Sequence, residues 1–196
     1  MNSIINKSIE NSFSYLEYRN LVAKYADEGK TTGENTDVHI NFSKLNEARL
    51  HRLDKTMQVV DEVKSVLENI SKEYIWLVIS ESWCGDAAQI LPIINKMAEV
   101  SDKINLRVVL RDENEDLMNL FLTNGTKSIP KLIIIDKKTN EVINDFGPRP
   151  KEAKQLILDY KAEHGVVDET AKIELQKWYL QDKGISTQKE IVALMK

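Results

Sequence analysis

The chain has 196 residues, of which 42% are hydrophobic, and 27 Lys plus Arg against 31 Asp plus Glu give a net charge of −4. This composition predicts a globular protein, one ordinary domain with appendages, and excludes a disordered tail. The two signs of charge are interleaved along the chain, so no basic surface for nucleic acid is expected.

The first 70 residues carry helix signals on either side of a polar tract. Residues 8–28 are predicted to be helical and to end at Gly29, where a left-handed cap is natural. The next tract, GKTTGENTDVHINFS, predicts a linker or a long loop. From Lys44 to Ile70 apolar residues recur at steps of three, four or seven, which is typical of one long helix packed on a core.

Strand and helix signals then alternate. The apolar runs YIWLVIS (74–80) and INLRVVL (104–110) predict two central strands, with a helix from Gly85 to Glu99 between them. A helix in EDLMNLFLTNG, the strand KLIIID, the turn KKTN, the strand EVINDF and a helix after GPRP complete the pattern. The order β α β α β β α predicts an α/β fold with a central mixed sheet flanked by helices.

The stretch WCGDAAQILP contains the only cysteine of the chain, Cys84. It resembles the active-site run of the thioredoxin family, in which a helix-kinking proline follows the first cysteine by eight residues, as Pro92 does here. Ile129 and Pro130 resemble the family's cis-proline pair, and Gly147 resembles the glycine that closes the substrate groove. The chain is also similar to bacterial thioredoxin-like proteins that carry a WCGDA signature.

This resemblance implies a thioredoxin fold with helical extensions at both ends. We predict an N-terminal helix and linker over residues 1–43, and a thioredoxin-like domain with its leading long helix over residues 44–163. A C-terminal helical extension over residues 164–196 is expected to pack on the core, anchored by Trp178 and Tyr179.

Departures from the family pattern remove the ordinary dithiol chemistry. Ala87 stands where the resolving cysteine would be, so an intramolecular disulfide is impossible, and Val78 replaces the family's buried acid. The position of Cys84 before a helix favours the thiolate, whereas the charge of Asp86 disfavours it. Alternatively, Asp86 carries a proton to the departing thiol. Both roles for Asp86 stay open at this point.

The resemblance also implies a substrate groove around the cysteine. Trp83 is expected to form a shoulder of this groove, and the backbone of Ile129 to pair with an extended peptide. Arg149 is expected at the rim, where it either binds a carboxylate or is an ordinary solvated arginine. The predicted catalytic residues are Cys84 and Asp86, and the predicted substrate-binding residues are Trp83, Gly85, Ile129, Pro130, Gly147 and Arg149.

Three hypotheses for the function follow from these residues. In the first, the protein is a monothiol thioredoxin-like protein whose Cys84 forms a mixed disulfide with a protein or low-molecular-weight disulfide, and an external thiol resolves it. In the second, it is a redox-inactive module that binds a peptide or protein. In the third, Cys84 senses oxidants through a sulfenic acid. Whether the protein is an enzyme stays open, as does its oligomeric state.

Several partners and cofactors are not expected. His39, His51 and His164 stand far apart in the sequence, so we predict no metal and no cofactor. No window approaches the roughly eighteen apolar residues of a membrane helix, and the first residues lack the apolar stretch of a signal peptide. With a single cysteine, these features predict a cytoplasmic protein without a membrane or nucleic-acid partner.

Overall fold

The strand signals of the sequence meet in one mixed sheet. The computed structural model describes residues 2–195, and within them the strands are β1 (Tyr74–Ser80), β2 (Ile104–Leu110), β3 (Lys131–Asp136) and β4 (Val142–Phe146). Their order in the sheet is β2-β1-β3-β4. β1 is parallel to β2 and antiparallel to β3, which is antiparallel to β4. This arrangement confirms the predicted α/β fold.

Helices flank this sheet and extend it at both ends of the chain. Within residues 2–195 they are α1 (Asn2–Glu10), α2 (Tyr15–Asp27), α3 (Asp37–Thr56), α4 (Asp61–Glu68), α5 (Gly85–Ala98), α6 (Glu115–Leu120), α7 (Lys151–His164), α8 (Glu169–Asp182) and α9 (Ile185–Ala193).

Strand β1 lies between two hydrophobic clusters, one on each face of the sheet. Trp76 and Val78 belong to one cluster, whereas Ile75, Leu77 and Ile79 belong to the other. Every residue of β1 is buried. This burial accounts for the unbroken apolar run, because a strand covered on both faces has no polar side.

The N-terminal helices differ from the prediction in their boundaries. The predicted helix over residues 8–28 is two helices, α1 and α2, and Ser14 begins the second in a capping box with Glu17. α3 begins at Asp37, inside the predicted linker, and Thr36 caps it. The predicted long helix is interrupted after Thr56, because Met57 adopts an extended conformation before α4 begins.

The segment that precedes α3 packs directly on the sheet. Phe13 and Val108 exchange two backbone hydrogen bonds of 2.8 Å, so this segment pairs with the outer edge of β2. Such pairing satisfies backbone groups that an open edge strand would expose. Tyr18 and Val22 of α2 are buried in the same cluster as Trp76. The N-terminal helices therefore share their core with the sheet.

The C-terminal helices also pack on this core. Tyr179 of α8 is buried in the cluster that contains Trp76, and Trp178 is partly buried against it. Gln89 of α5 donates a hydrogen bond of 2.7 Å to Gln176 of α8. Among residues 2–195, no helix is long and apolar enough to cross a membrane. The division of the chain at residues 43 and 163 stays a prediction.

Candidate functional site

Cys84 lies in the turn between β1 and α5, where its thiol is enclosed. It is the N-cap residue of α5, and its Sγ accepts a hydrogen bond of 3.5 Å from the Ala87 backbone N–H. The thiol donates a hydrogen bond of 3.3 Å to the backbone carbonyl of Ile129. Only 8% of the residue is exposed. The thiol proton therefore has an internal acceptor.

These surroundings favour the protonated thiol. Burial raises the pKa of Cys84 to about 12, and the neighbouring charge of Asp86 acts in the same direction. The backbone N–H groups of Ala87 and Asp86 and the charge of Arg149 oppose this rise. Desolvation outweighs them because a thiolate loses most of its hydration at this site. Burial, which the sequence did not reveal, therefore acts together with Asp86 against the thiolate.

Asp86 is buried in the first turn of α5, where two side chains hold its carboxylate. Arg149 Nη2 lies 2.7 Å from Asp86 Oδ2. The hydroxyl of Tyr179 donates a hydrogen bond of 2.9 Å to Asp86 Oδ1. The C-terminal extension that carries Tyr179 thus covers this residue. Arg149 consequently has a carboxylate partner within the chain.

Trp83 lines the site, and two side chains lie against its ring. His39 stacks on the ring at a centroid distance of 4.6 Å, and the Arg111 guanidinium carbon lies 4.7 Å from the ring centroid. Trp83 Nε1 is buried and has no hydrogen-bond partner among residues 2–195. The Trp83 ring is therefore partly covered by side chains of the chain itself.

A buried hydroxyl network anchors the turn that carries Cys84 to the N-terminal segment. Ser82 Oγ lies 2.9 Å from the hydroxyl oxygens of both Thr31 and Ser43, which are 2.6 Å apart. The Ser82 N–H donates to Thr32 Oγ1 at 2.8 Å, and Asn46 Nδ2 donates to the Ser82 carbonyl at 2.9 Å. The polar tract that was predicted as a linker therefore positions the residue before Trp83.

Glu81 is a buried acid that the sequence analysis did not assign to the site. Its Oε1 accepts a hydrogen bond of 2.9 Å from the Asp112 N–H, and Oε2 has no partner among residues 2–195. Burial raises the pKa of this carboxyl. Val78 stands where the family has a buried acid, and Glu81 supplies a buried carboxyl three residues further along the chain.

The Cys84 thiol lies against the segment of Ile129 and Pro130, which in turn contacts Gly147. The Ile129–Pro130 peptide bond is cis, and both residues are buried. Gly147 has a φ of +128°, and a Cβ there would lie 2.2 Å from the Pro130 carbonyl oxygen. Only glycine fits this close approach of two backbone segments.

A groove of about 740 Å³ opens beside Cys84 between two helices, and we call it the α3–α8 groove. Its floor contains Cys84, Gly85 and Asp86, with Trp83 and Arg149 beside them. Its apolar walls come from both helices and include Val38, Phe42, Leu45, Ile173 and Leu180. Five of the predicted site residues therefore line one groove, whereas Ile129, Pro130 and Gly147 are not among its lining residues.

The sequence analysis missed the side chains that form the groove walls. Val38, Phe42, Leu45 and Arg49 are spaced by four, three and four residues, which places them on one face of α3. This spacing was a usable signal, but part of it fell in the predicted linker. Within residues 2–195, no group of three or more His, Cys, Asp or Glu side chains is placed to hold a metal ion.

The fold agrees with the comparisons to known proteins. A family model described as thioredoxin matches residues 33–164. This match covers more than half of the chain, which therefore belongs to the thioredoxin family.

Two solved structures share the fold over nearly their whole length. One is a protein of unknown function, PA1234 from Pseudomonas aeruginosa, with a TM-score of 0.60, 17% identity and coverage of 93% of this chain and 97% of that one. The other is an HIV epitope scaffold, with a TM-score of 0.55, 18% identity and coverage of 93% and 98%. No curated protein matches the chain.

Proposed function

We propose that this protein is a thioredoxin-fold binding protein that holds a ligand in the α3–α8 groove, with Cys84 protonated and inactive in thiol–disulfide exchange. The observation that carries the proposal is the enclosed thiol, which donates to the Ile129 carbonyl beside an open apolar groove. The proposal keeps the redox-inactive module of the second hypothesis, but its binding surface is the α3–α8 groove, which includes Trp83 and not Ile129, Pro130 or Gly147.

The chemistry of exchange explains why an enclosed thiol matters. The thiolate is the nucleophile that attacks a disulfide. With a pKa of about 12 for Cys84, only about one thiol in 10⁵ is ionised at pH 7. Ala87 supplies no second thiol, so any mixed disulfide also waits for an external one. Both steps of a redox cycle are therefore disfavoured.

Monothiol exchange is the second candidate, and the position of Cys84 in the groove lining favours it. In this reaction, Sγ attacks one sulfur of a protein or low-molecular-weight disulfide, a new S–S bond forms, and the other sulfur leaves as a thiolate. An external thiolate then attacks the mixed disulfide and releases Cys84. The Ala87 N–H, 3.5 Å from Sγ, would stabilise the attacking anion.

The reactivity of Cys84 with iodoacetamide across pH 6–11 separates these two functions. For the binding protein, we expect alkylation at pH 7.5 to be about 10³-fold or more slower than that of an unstructured cysteine peptide, because the thiolate is scarcer by roughly that factor. The rate should still rise above pH 10. Cys84→Ser supplies the blank.

Alkylation at or above the rate of the peptide, with an inflection below pH 8, would contradict the binding function and favour exchange. In that case, Cys84→Ser should also abolish formation of a mixed disulfide with a small aromatic disulfide.

A further inference from the structure

The α3–α8 groove carries more positive than negative charge. Its lining contains four basic side chains and two carboxylates, namely Arg49, Arg149, Lys172 and Lys177 against Asp86 and Glu169. The carboxylates are both in use, since Asp86 pairs with Arg149 and Glu169 with Lys172. In the described part of the chain, Arg49 and Lys177 have no carboxylate within 4.0 Å. The groove is therefore electrostatically suited to an anion.

Arg49 is the better placed of these two cations, because Lys177 is exposed whereas Arg49 is half-buried at the groove floor. Its Nη1 donates a hydrogen bond of 3.0 Å to Asn46 Oδ1 and lies 3.6 Å from where a Cβ on Gly85 would be. Burial and the neighbouring charge of Arg52 lower the pKa of Arg49, and the charge of Asp86 offsets this only in part. A guanidinium in this situation gains from an anionic partner, which its planar donors suit.

The walls above Arg49 present apolar surface that no other part of residues 2–195 covers. Val38 and Leu45 of α3 and Ile173 and Leu180 of α8 are between 48% and 64% exposed. Large apolar side chains grouped on one concave surface mark a binding site more often than single exposed ones do. The occupant should therefore combine an apolar body with an anionic end.

We propose that the α3–α8 groove binds a small amphipathic monocarboxylate, with its carboxylate on Arg49 and its aliphatic or aromatic body along the walls of α3 and α8. This inference rests on the proposed binding function and names its ligand class. The groove volume of about 740 Å³ lies in the range of small-molecule pockets, roughly 300–1,000 Å³. A free carboxylate also reaches a cation on the groove floor without carrying a peptide backbone into an apolar cleft.

Titration calorimetry of the full chain with octanoate tests this inference. Octanoate should bind, whereas octylammonium, with the same tail and the opposite charge, should not. Arg49→Gln should weaken octanoate binding about tenfold or more, the effect of losing a charge-assisted hydrogen bond. Lys55→Gln is the matched control, because Lys55 is exposed on the same helix and is not among the groove-lining residues. It should change binding less than about twofold.

Ile173→Glu provides a second variant, since it places a negative charge on the groove wall without touching Arg49. It should also weaken octanoate binding, and its circular dichroism and urea midpoint should match those of the wild type. Methyl NMR shifts on adding octanoate should include Val38, Ile173 and Leu180.

Several results would overturn the inference. These are no octanoate binding at millimolar concentration, equal binding of octylammonium, equal weakening by Arg49→Gln and Lys55→Gln, or methyl shifts confined to residues outside the groove. If Cys84 resists alkylation while octanoate fails to bind, only the ligand class is wrong. Rapid alkylation of Cys84 instead contradicts the proposed function itself, whatever the octanoate result.

Discussion

At the scale of single residues, burial has a larger effect on the pKa of Cys84 than its position at a helix N-terminus does. The helix dipole and backbone N–H groups contribute on the order of 1 kcal/mol toward a thiolate. Desolvation is the larger effect and raises the pKa of Cys84 to about 12. Asp86 adds to this rise, whereas the guanidinium of Arg149 reduces it.

Asp86→Asn is expected to make Cys84 more reactive. The substitution removes a charge that raises the thiol pKa and leaves Arg149, which lowers it, without its carboxylate partner. Both changes favour the thiolate, so alkylation by iodoacetamide at pH 8 should accelerate about tenfold. Quenched alkylation assays on the wild type and on Asp86→Asn measure this difference in rate.

Glu169→Gln is the matched control, because Glu169 also lines the groove but pairs with Lys172. It should change the rate less than about twofold. An unchanged rate in Asp86→Asn would mean that burial alone holds the proton on Cys84. If Asp86→Asn leaves the alkylation rate unchanged but slows the release of Cys84 from a mixed disulfide by added thiol, Asp86 acts as a proton carrier instead.

At the scale of secondary-structure elements, the site depends on how closely the loops flanking β3 and β4 approach each other. Gly147 precedes α7, and Pro130 precedes β3, yet their backbones touch. This contact positions the Ile129 carbonyl that accepts the Cys84 thiol. The exposure of the Cys84 thiol therefore depends on the contact between Gly147 and Pro130.

Gly147→Ala should destabilise the protein and expose Cys84. A Cβ at this position clashes with the Pro130 carbonyl oxygen, and the φ of +128° is unfavourable for any side chain. We expect a loss of about 2–4 kcal/mol in the free energy of unfolding, measured by urea denaturation. Alkylation of Cys84 should accelerate as the Ile129 carbonyl is displaced.

Gly165→Ala is the control for backbone conformation alone. Gly165 also has a positive φ, +77°, but a Cβ there would have nothing within 4 Å. This variant should cost about 1 kcal/mol and leave Cys84 alkylation unchanged. Equal losses in the two variants would show that the contact with Pro130 contributes nothing.

At the scale of the whole molecule, the N-terminal segment is part of the core rather than an appendage. Ile5 of α1 is fully buried in the cluster that contains Leu77 and Cys84. Phe13 covers the edge of β2, and Thr31 contacts Ser82 in the turn that carries Cys84. We therefore expect the segment and the sheet to unfold together.

Ile5→Ala tests this cooperativity. Removing a fully buried side chain should lower the free energy of unfolding by about 2–5 kcal/mol. The loss should appear in the tryptophan fluorescence of the sheet as well as in far-ultraviolet circular dichroism, with coincident transitions. Leu16→Ala, at a residue that is 69% exposed, should change stability by less than about 0.5 kcal/mol. An earlier, separate loss of helix with an unchanged fluorescence midpoint would contradict a single core.

The sequence by itself determined those features that depend on neighbouring residues. Continuous apolar runs located the strands, because a strand buried on both faces must be apolar throughout. The absence of a second thiol at Ala87 and the start of α5 after Cys84 could also be predicted from neighbouring residues. The S-x-x-E box at Ser14 was also a local signal for the start of α2, although it was not used. The interruption at Met57 had no such signal, since the apolar period continues across it.

Only the tertiary structure decided the chemistry of the site, because its determinants lie far apart in the chain. Tyr179 meets Asp86 across 93 positions, and Thr31 meets Ser82 across 51. The polar tract around Thr31 resembles a linker, yet its hydroxyl groups satisfy one another once they are buried together. Likewise, the helix N-terminus lowers the pKa of Cys84, but burial by the fold raises it by more. Burial is a property of the assembled chain, which no local pattern records.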